Sequence, residues 1–147
     1  MQSIFPRVGA HSVSGILFHI VWATRKRMRV LAITLDEVLE RELSAVAKAL
    51  EVTLLAYGAA DDHVHVLVQA PPEASVAMIA NRLKGATSHA LRSQIVVGWQ
   101  AGYWAQTVSP DAVPALLLYL RDQRTHHGLG GQVEAWQGFD GGRFTRP

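Results

Sequence analysis

The sequence contains no cysteine. That excludes disulfides, thiolate metal sites and a cysteine nucleophile, and it suits a reducing compartment. Long apolar runs are also missing. No stretch reaches the roughly 20 residues that span a bilayer, and no charged-then-apolar leader opens the chain. The expectation is a soluble, cytoplasmic protein with no membrane partner. Charge of one sign is scarce as well: 14 basic residues stand against 12 acidic, a net charge of +2. Bulk charge alone therefore names no nucleic-acid partner. What the sequence does have is apolar content, 49% of 147 residues, which allows one domain with a real core.

Residues 1–13 include Pro6 and Gly9, show little periodicity, and read as a loose N-terminal arm. The run SGILFHIVWAT over residues 14–24 is rich in β-branched and aromatic side chains and predicts a strand. A basic patch follows at once, formed by Arg25, Lys26, Arg27 and Arg29. Thr34, with Glu37 three residues later, reads as a capping box. It would open a helix whose apolar face carries Val38, Leu39, Leu43, Val46, Ala47 and Leu50. Residues 52–59 and 63–70 predict two strands joined at Ala60, Asp61 and Asp62, with Pro71 and Pro72 closing the second. Ser75 reads as the cap of a second helix with Val76, Ile79, Leu83 and Leu91 on one side. Its polar positions include Arg82, Lys84 and Arg92. Residues 103–109 predict a fourth strand. Asp111 is a candidate cap for a last helix reaching about His127, with Pro114 in its first turns.

The order is strand, helix, strand, strand, helix, strand, helix. The economical packing is an α+β fold, an antiparallel sheet with helices on one face in a ferredoxin-like or RRM-like βαββαβα arrangement. The expected divisions are an arm over residues 1–13, one domain over residues 14–127 and a glycine-rich tail over residues 128–147.

Two constellations bear on chemistry. His63 and His65 flank Val64 on a predicted strand, where side chains two apart share a face, so both imidazoles can reach one ion. Asp61 or Asp62 can orient one ring from behind. In a chain with 7 histidines, such a short motif also arises by chance. Tyr119 and Gln123 are four apart and share a helical face. A tyrosine among Leu116, Leu117, Leu118 and Leu120 is ordinarily a core residue, and Gln123 alone is ordinarily a surface amide. Beside a metal site they suggest a phenol positioned for attack and an amide oxygen completing the ion's shell.

The sequence resembles the single-tyrosine transposases of the HUH superfamily, which include small insertion-sequence transposases and relatives associated with repeated extragenic palindromes. The likeness lies in FHIVWATRKRMRVL, in Asp62-His63-Val64-His65 with its continuation VLVQAPP, and in SVAMIANRLKGATSHALR. It continues in WQAGYWAQTVS and YLRDQRTHH, so the blocks span residues 14–127 in the family's order. Asp61 stands where many relatives have proline, and nothing after His127 matches.

This resemblance implies a DNA-cleaving and DNA-joining enzyme, a single-strand endonuclease and strand transferase. Tyr119 would be the nucleophile, and His63, His65 and Gln123 would hold Mg²⁺ or Mn²⁺. Two imidazoles suit Mn²⁺ better than Mg²⁺, which prefers oxygen. The product would be a 5′-phosphotyrosine and a free 3′-OH. The implied partners are single-stranded DNA with hairpin ends and a second copy of the chain, in a homodimer where the tyrosine helix of one copy can complete the site of the other. Arg25, Lys26, Arg27, Arg29, Arg82, Lys84 and Arg92 offer phosphate contacts. Trp22, Trp99, Tyr103 and Trp104 offer stacking surfaces, although tryptophans often fill cores instead. The alternatives are a domesticated nickase, a catalytically silent binder of hairpin DNA, and a hydrolase that activates water on the two histidines.

Overall fold

A computed structural model describes residues 6–124, together with the backbone of residues 139–140 and 143–144. The chain opens with β1 (Arg7–Val8) and β2 (Val13–Ser14), then β3 (Ile16–Ala23) and α1 (Asp36–Ala49). β4 (Thr53–Ala59), β5 (His63–Ala70), α2 (Val76–Leu91), β6 (Trp104–Thr107) and α3 (Val113–Arg121) follow. The last described pair is β7 (Phe139–Asp140) with β8 (Arg143–Phe144), an antiparallel hairpin inside the glycine-rich segment.

The main sheet has the order β4-β5-β3-β6, with every neighbouring pair antiparallel. Its first and third strands are central, which is the ferredoxin-like order expected from the sequence. Every residue of β5 is buried, because both of its faces are covered. Alternation sorts its side chains into two layers. Val64, Val66 and Val68 join Ile20 and Trp22 in the core beneath α1 and α2. Leu67 joins Leu17 in a second, smaller core, where Val113 and Leu120 of α3 pack. Thus α1 and α2 share one face as expected, and α3 takes the other.

Three local readings need correction. The arm is not loose over its described part: β1 and β2 form a hairpin, and Arg7 Nη1 donates to Glu51 O at 2.8 Å. Thr34 does not cap α1, because a 3₁₀ turn over Ile33–Leu35 precedes it and no side chain caps the helix start. Asp111 likewise lies inside a 3₁₀ turn, Pro110–Ala112, that opens after Ser109. Ser75 does cap α2, accepting from Met78 N at 3.3 Å. α3 ends at Arg121 and Asp122 forms a turn, after which Gln123 and Arg124 are helical again; residues 125–127, where the expected helix end falls, lie outside the described residues.

After α1 the chain reverses at Glu51, whose φ of 57° places it in the left-handed region. Val52 N closes this turn on Ala47 O at 3.0 Å. Glycine occupies such a position without the Cβ penalty. Glu51→Gly should therefore raise unfolding free energy by about 0.5–1 kcal/mol, measured by urea titration. A loss of stability would mean that the Glu51 side chain contributes more than its backbone costs.

Candidate active site

The face of the sheet under α3 carries the unusual chemistry. On β5, His63 and His65 point to this side together with Leu67, and on β3, His19 does so with Leu17. His63 and His65 are fully buried, with ring centroids 4.9 Å apart. Tyr119 of α3 sets its ring edge-on to His65 at 5.5 Å. Gln123, helical again after the turn at Asp122, is 1% exposed and brings Oε1 to 3.1 Å from His63 Nε2. Its amide nitrogen donates to Tyr119 O at 3.1 Å. The four residues of the two constellations therefore meet within one chain.

Asp62 supports this group from behind. Its Oδ1 lies 2.7 Å from His63 Nδ1, and its Oδ2 accepts from Arg27 Nε at 2.9 Å. Burial works against ionisation of Asp62, but the hydrogen bonds from His63 and Arg27, with their charges, outweigh it. Together they lower its pKa from 3.8 to about 2. The unfolded chain thus binds more protons than the folded one between these values, so stability rises with pH across that window. On the order of 2 kcal/mol, fully present above pH 4, should be lost as pH falls towards 2. Acid unfolding followed by circular dichroism should show this slope in the native protein and a flatter one in Asp62→Asn. Equal slopes would rule out Asp62 as the source.

The ring of His63 lies between two oxygens. Asp62 is an ionised acceptor on one side, and the Gln123 carbonyl oxygen is an acceptor on the other. A neutral imidazole carries one proton and satisfies only one of them. His63 Nε2 and Gln123 Oε1 stand 3.1 Å apart beside His65, and imidazole nitrogen and amide oxygen are both donor types that divalent ions such as Mn²⁺ accept. The donor set therefore fits a divalent ion. Among the described residues no cluster of three or more His, Asp or Glu side chains is placed to hold one, so such a site consists of two imidazoles and an amide.

The basic turn after β3 stands at the same end of the sheet, since Ala23 pairs with His63. Lys26 and Arg27 both have positive φ, 56° and 54°, in a 3₁₀ turn tied down by Thr24 Oγ1 donating to Met28 O at 2.7 Å. Arg25, Lys26 and Arg29 are exposed there, while Arg27 is committed to Asp62. The remaining predicted basic residues are elsewhere. Arg82 on α2 and Arg92 at its C-terminal cap are exposed, across the sheet from the histidines. Lys84 donates to Gln100 O at 3.0 Å and Gly102 O at 2.7 Å, and burial lowers its pKa. It braces the loop before β6 instead of facing solvent. Trp22 and Trp99 pack edge-to-face in the core and provide no stacking surface, whereas Tyr103 and Trp104 are half-buried.

Three contributors escaped sequence reasoning. His19 Nε2 lies 2.8 Å from His65 Nδ1; its only signal was a histidine inside an apolar strand. Arg124 donates to Asp36, to Asp61 and to Leu31 O, clasping the end of the Tyr119 segment to the start of α1. Gly58 pairs with His65 across β4 and β5, directly under α3. Of the two aspartates considered, Asp62 orients His63 and Asp61 serves Arg124. Tyr57, the tyrosine of β4, donates to Asp36 O at 3.4 Å. Burial, Glu40 and Asp36 raise its pKa against the effect of Arg124, which disfavours it as a nucleophile.

The family model for IS200-like transposases matches residues 12–123, which include His19, Gly58, Asp62, His63, His65, Tyr119 and Gln123. The chain belongs to that family. Among IS200-like transposases, the ISDra2 transposase TnpA of Deinococcus radiodurans is 24% identical over 124 residues, covering 78% of this chain and 89% of that protein. Two solved structures share the fold at a TM-score of 0.64. One, described as a transposase of Deinococcus radiodurans, is 24% identical and covers 80% of this chain and 98% of its own. The other, a REP-associated tyrosine transposase bound to a REP hairpin, is 16% identical and covers 83% and 74%. Among the described residues no helix of this transposase is long and apolar enough to cross a membrane.

Proposed function

We propose that this transposase cuts and rejoins single-stranded DNA near hairpins, with Tyr119 as nucleophile and with His63, His65 and Gln123 holding Mg²⁺ or Mn²⁺. The supporting observation is that β5 and the α3 segment bring two imidazoles, an amide oxygen and a phenol onto one buried face. Tyr119 Oη would form a bond to the scissile phosphorus while the P–O3′ bond breaks. The 3′ oxygen takes up a proton, and the 5′ phosphate remains on the tyrosine. Attack by another 3′-OH reverses the step, so strands are rejoined without an external energy source. When bound, the divalent ion supplies Lewis-acid polarisation of the phosphate oxygens.

The chain's own residues do the rest. Asp62 fixes His63, and Gln123 ties its amide to Tyr119 O, so the nucleophile's backbone and the ion-binding oxygen move together. The exposed Arg25, Lys26 and Arg29 would hold phosphates flanking the cut, while Arg82 and Arg92 would meet DNA only on the far side of the sheet. Its place of action would be the cytoplasm, on DNA, as a homodimer.

The test is incubation of the protein with labelled single-stranded DNA carrying a hairpin from the flanks of its own gene, with Mg²⁺ or Mn²⁺. The expected result is a labelled species that survives SDS and migrates with the protein, and that His63→Ala does not form. Cleavage without such an adduct would favour the hydrolase. Tight hairpin binding with neither cleavage nor adduct would favour the silent binder.

A further inference from the structure

We propose that His19 is a positioning residue that fixes the tautomer of His65 by accepting a hydrogen bond from His65 Nδ1–H. This rests on the reading of His63, His65 and Gln123 as an ion site. The register pairs Val21 with His65 and His19 with Leu67, so His19 and His65 are diagonal neighbours on one face. Their facing nitrogens are 2.8 Å apart, and their rings stack at 5.0 Å with 20° between planes. Trp104 closes over His19 edge-on at 5.2 Å. His19 is 8% exposed and His65 fully buried, so water does not replace this contact cheaply.

A nitrogen–nitrogen hydrogen bond holds one proton, and its position decides what His65 can bind. With the proton on His19 Nε2, His65 Nδ1 is the acceptor, and a neutral His65 must then carry its own proton on Nε2. That closes Nε2 to an ion. With the proton on His65 Nδ1, the Nε2 lone pair is available for coordination. His63 has the same division of labour, with Nδ1 towards Asp62 and Nε2 towards Gln123. The two supports differ in charge. Asp62 backs His63 with a carboxylate, whereas His19 orients His65 without placing a second negative charge behind the phosphate.

The experiment combines long-range ¹H–¹⁵N spectra of the histidine-labelled protein with Mn²⁺ titration of the native chain, His65→Ala, His19→Phe and His19→Gln. In the native protein His65 should carry its proton on Nδ1. His19→Phe should weaken Mn²⁺ binding by about 10–100-fold, the usual range for a partner behind a metal-bound histidine. His19→Gln, whose amide oxygen can accept the same bond, should recover most of that loss. A His65 proton on Nε2, or native Mn²⁺ affinity in His19→Phe, overturns the assignment. If His19→Phe fails to fold, the native spectrum decides alone. A native protein that binds no Mn²⁺, or binds it unchanged in His65→Ala, overturns the ion site itself, and this role of His19 falls with it.

Discussion

Replacing Tyr119 with phenylalanine should remove the covalent adduct and lower strand cleavage by at least about 10³-fold, leaving hairpin binding intact. The ring of Tyr119 packs on His65 and against the small core formed by Leu17, Leu67, Val113 and Leu120. Phenylalanine keeps that packing and deletes only the oxygen, so the change in unfolding free energy should stay within about 1 kcal/mol. Single-turnover cleavage and filter binding measured on the same preparation separate the two effects. Residual cleavage near the native rate, with an adduct still forming, would move the nucleophile to another residue. A parallel collapse of binding and stability would mean that Tyr119 is a core residue only.

The second large effect is expected at Gly58, which sits on β4 beneath the end of α3. A Cβ built on Gly58 would lie 2.1 Å from Leu120 O and 2.9 Å from Gln123 Cγ. The backbone oxygen cannot rotate aside, so Gly58→Ala must lift the end of α3 from β4, at the strand position paired with His65. Overpacking of this kind costs roughly 1–3 kcal/mol. A displacement near 1 Å at the nucleophile costs on the order of 10² in rate. Gly58→Ala should therefore cut about 10²-fold more slowly while binding hairpin DNA normally. Gly85 is the control, since a Cβ there meets nothing within 4 Å in the middle of α2. Gly85→Ala should keep full activity and gain about 0.5–1 kcal/mol. A fully active and stable Gly58→Ala protein would show that α3 does not act from this seat on its own chain. The helix of the second copy would then be the working one.

Much of this arrangement was legible in the residues. β5 could be delimited because its apolar run is bounded by Asp62 and by Pro71. The pairs His63/His65 and Tyr119/Gln123 are local spacings, readable from the strand and helix periods. The capping box at Thr34 failed because Leu35, a buried residue, closes a 3₁₀ turn that carries the chain into α1 without a side-chain cap. Which face α3 would take was also beyond reach. With both faces of β5 apolar, its pattern announces two covering layers without saying which helix supplies each. The contacts of His19, Gly58 and Arg124 span long separations, 46 residues from His19 to His65 and 88 from Arg124 to Asp36. Such contacts follow from strand register and helix docking, which no short motif encodes.

The most direct test is mass spectrometry of the protein–DNA adduct after nuclease and protease digestion, with fragmentation to locate the modified side chain. A nucleotide phosphate on Tyr119, absent when Mn²⁺ and Mg²⁺ are removed and absent from Gln123→Ala, is the predicted result. The same mass on Tyr57 or Tyr103, or cleaved DNA with no modified tyrosine, would contradict it.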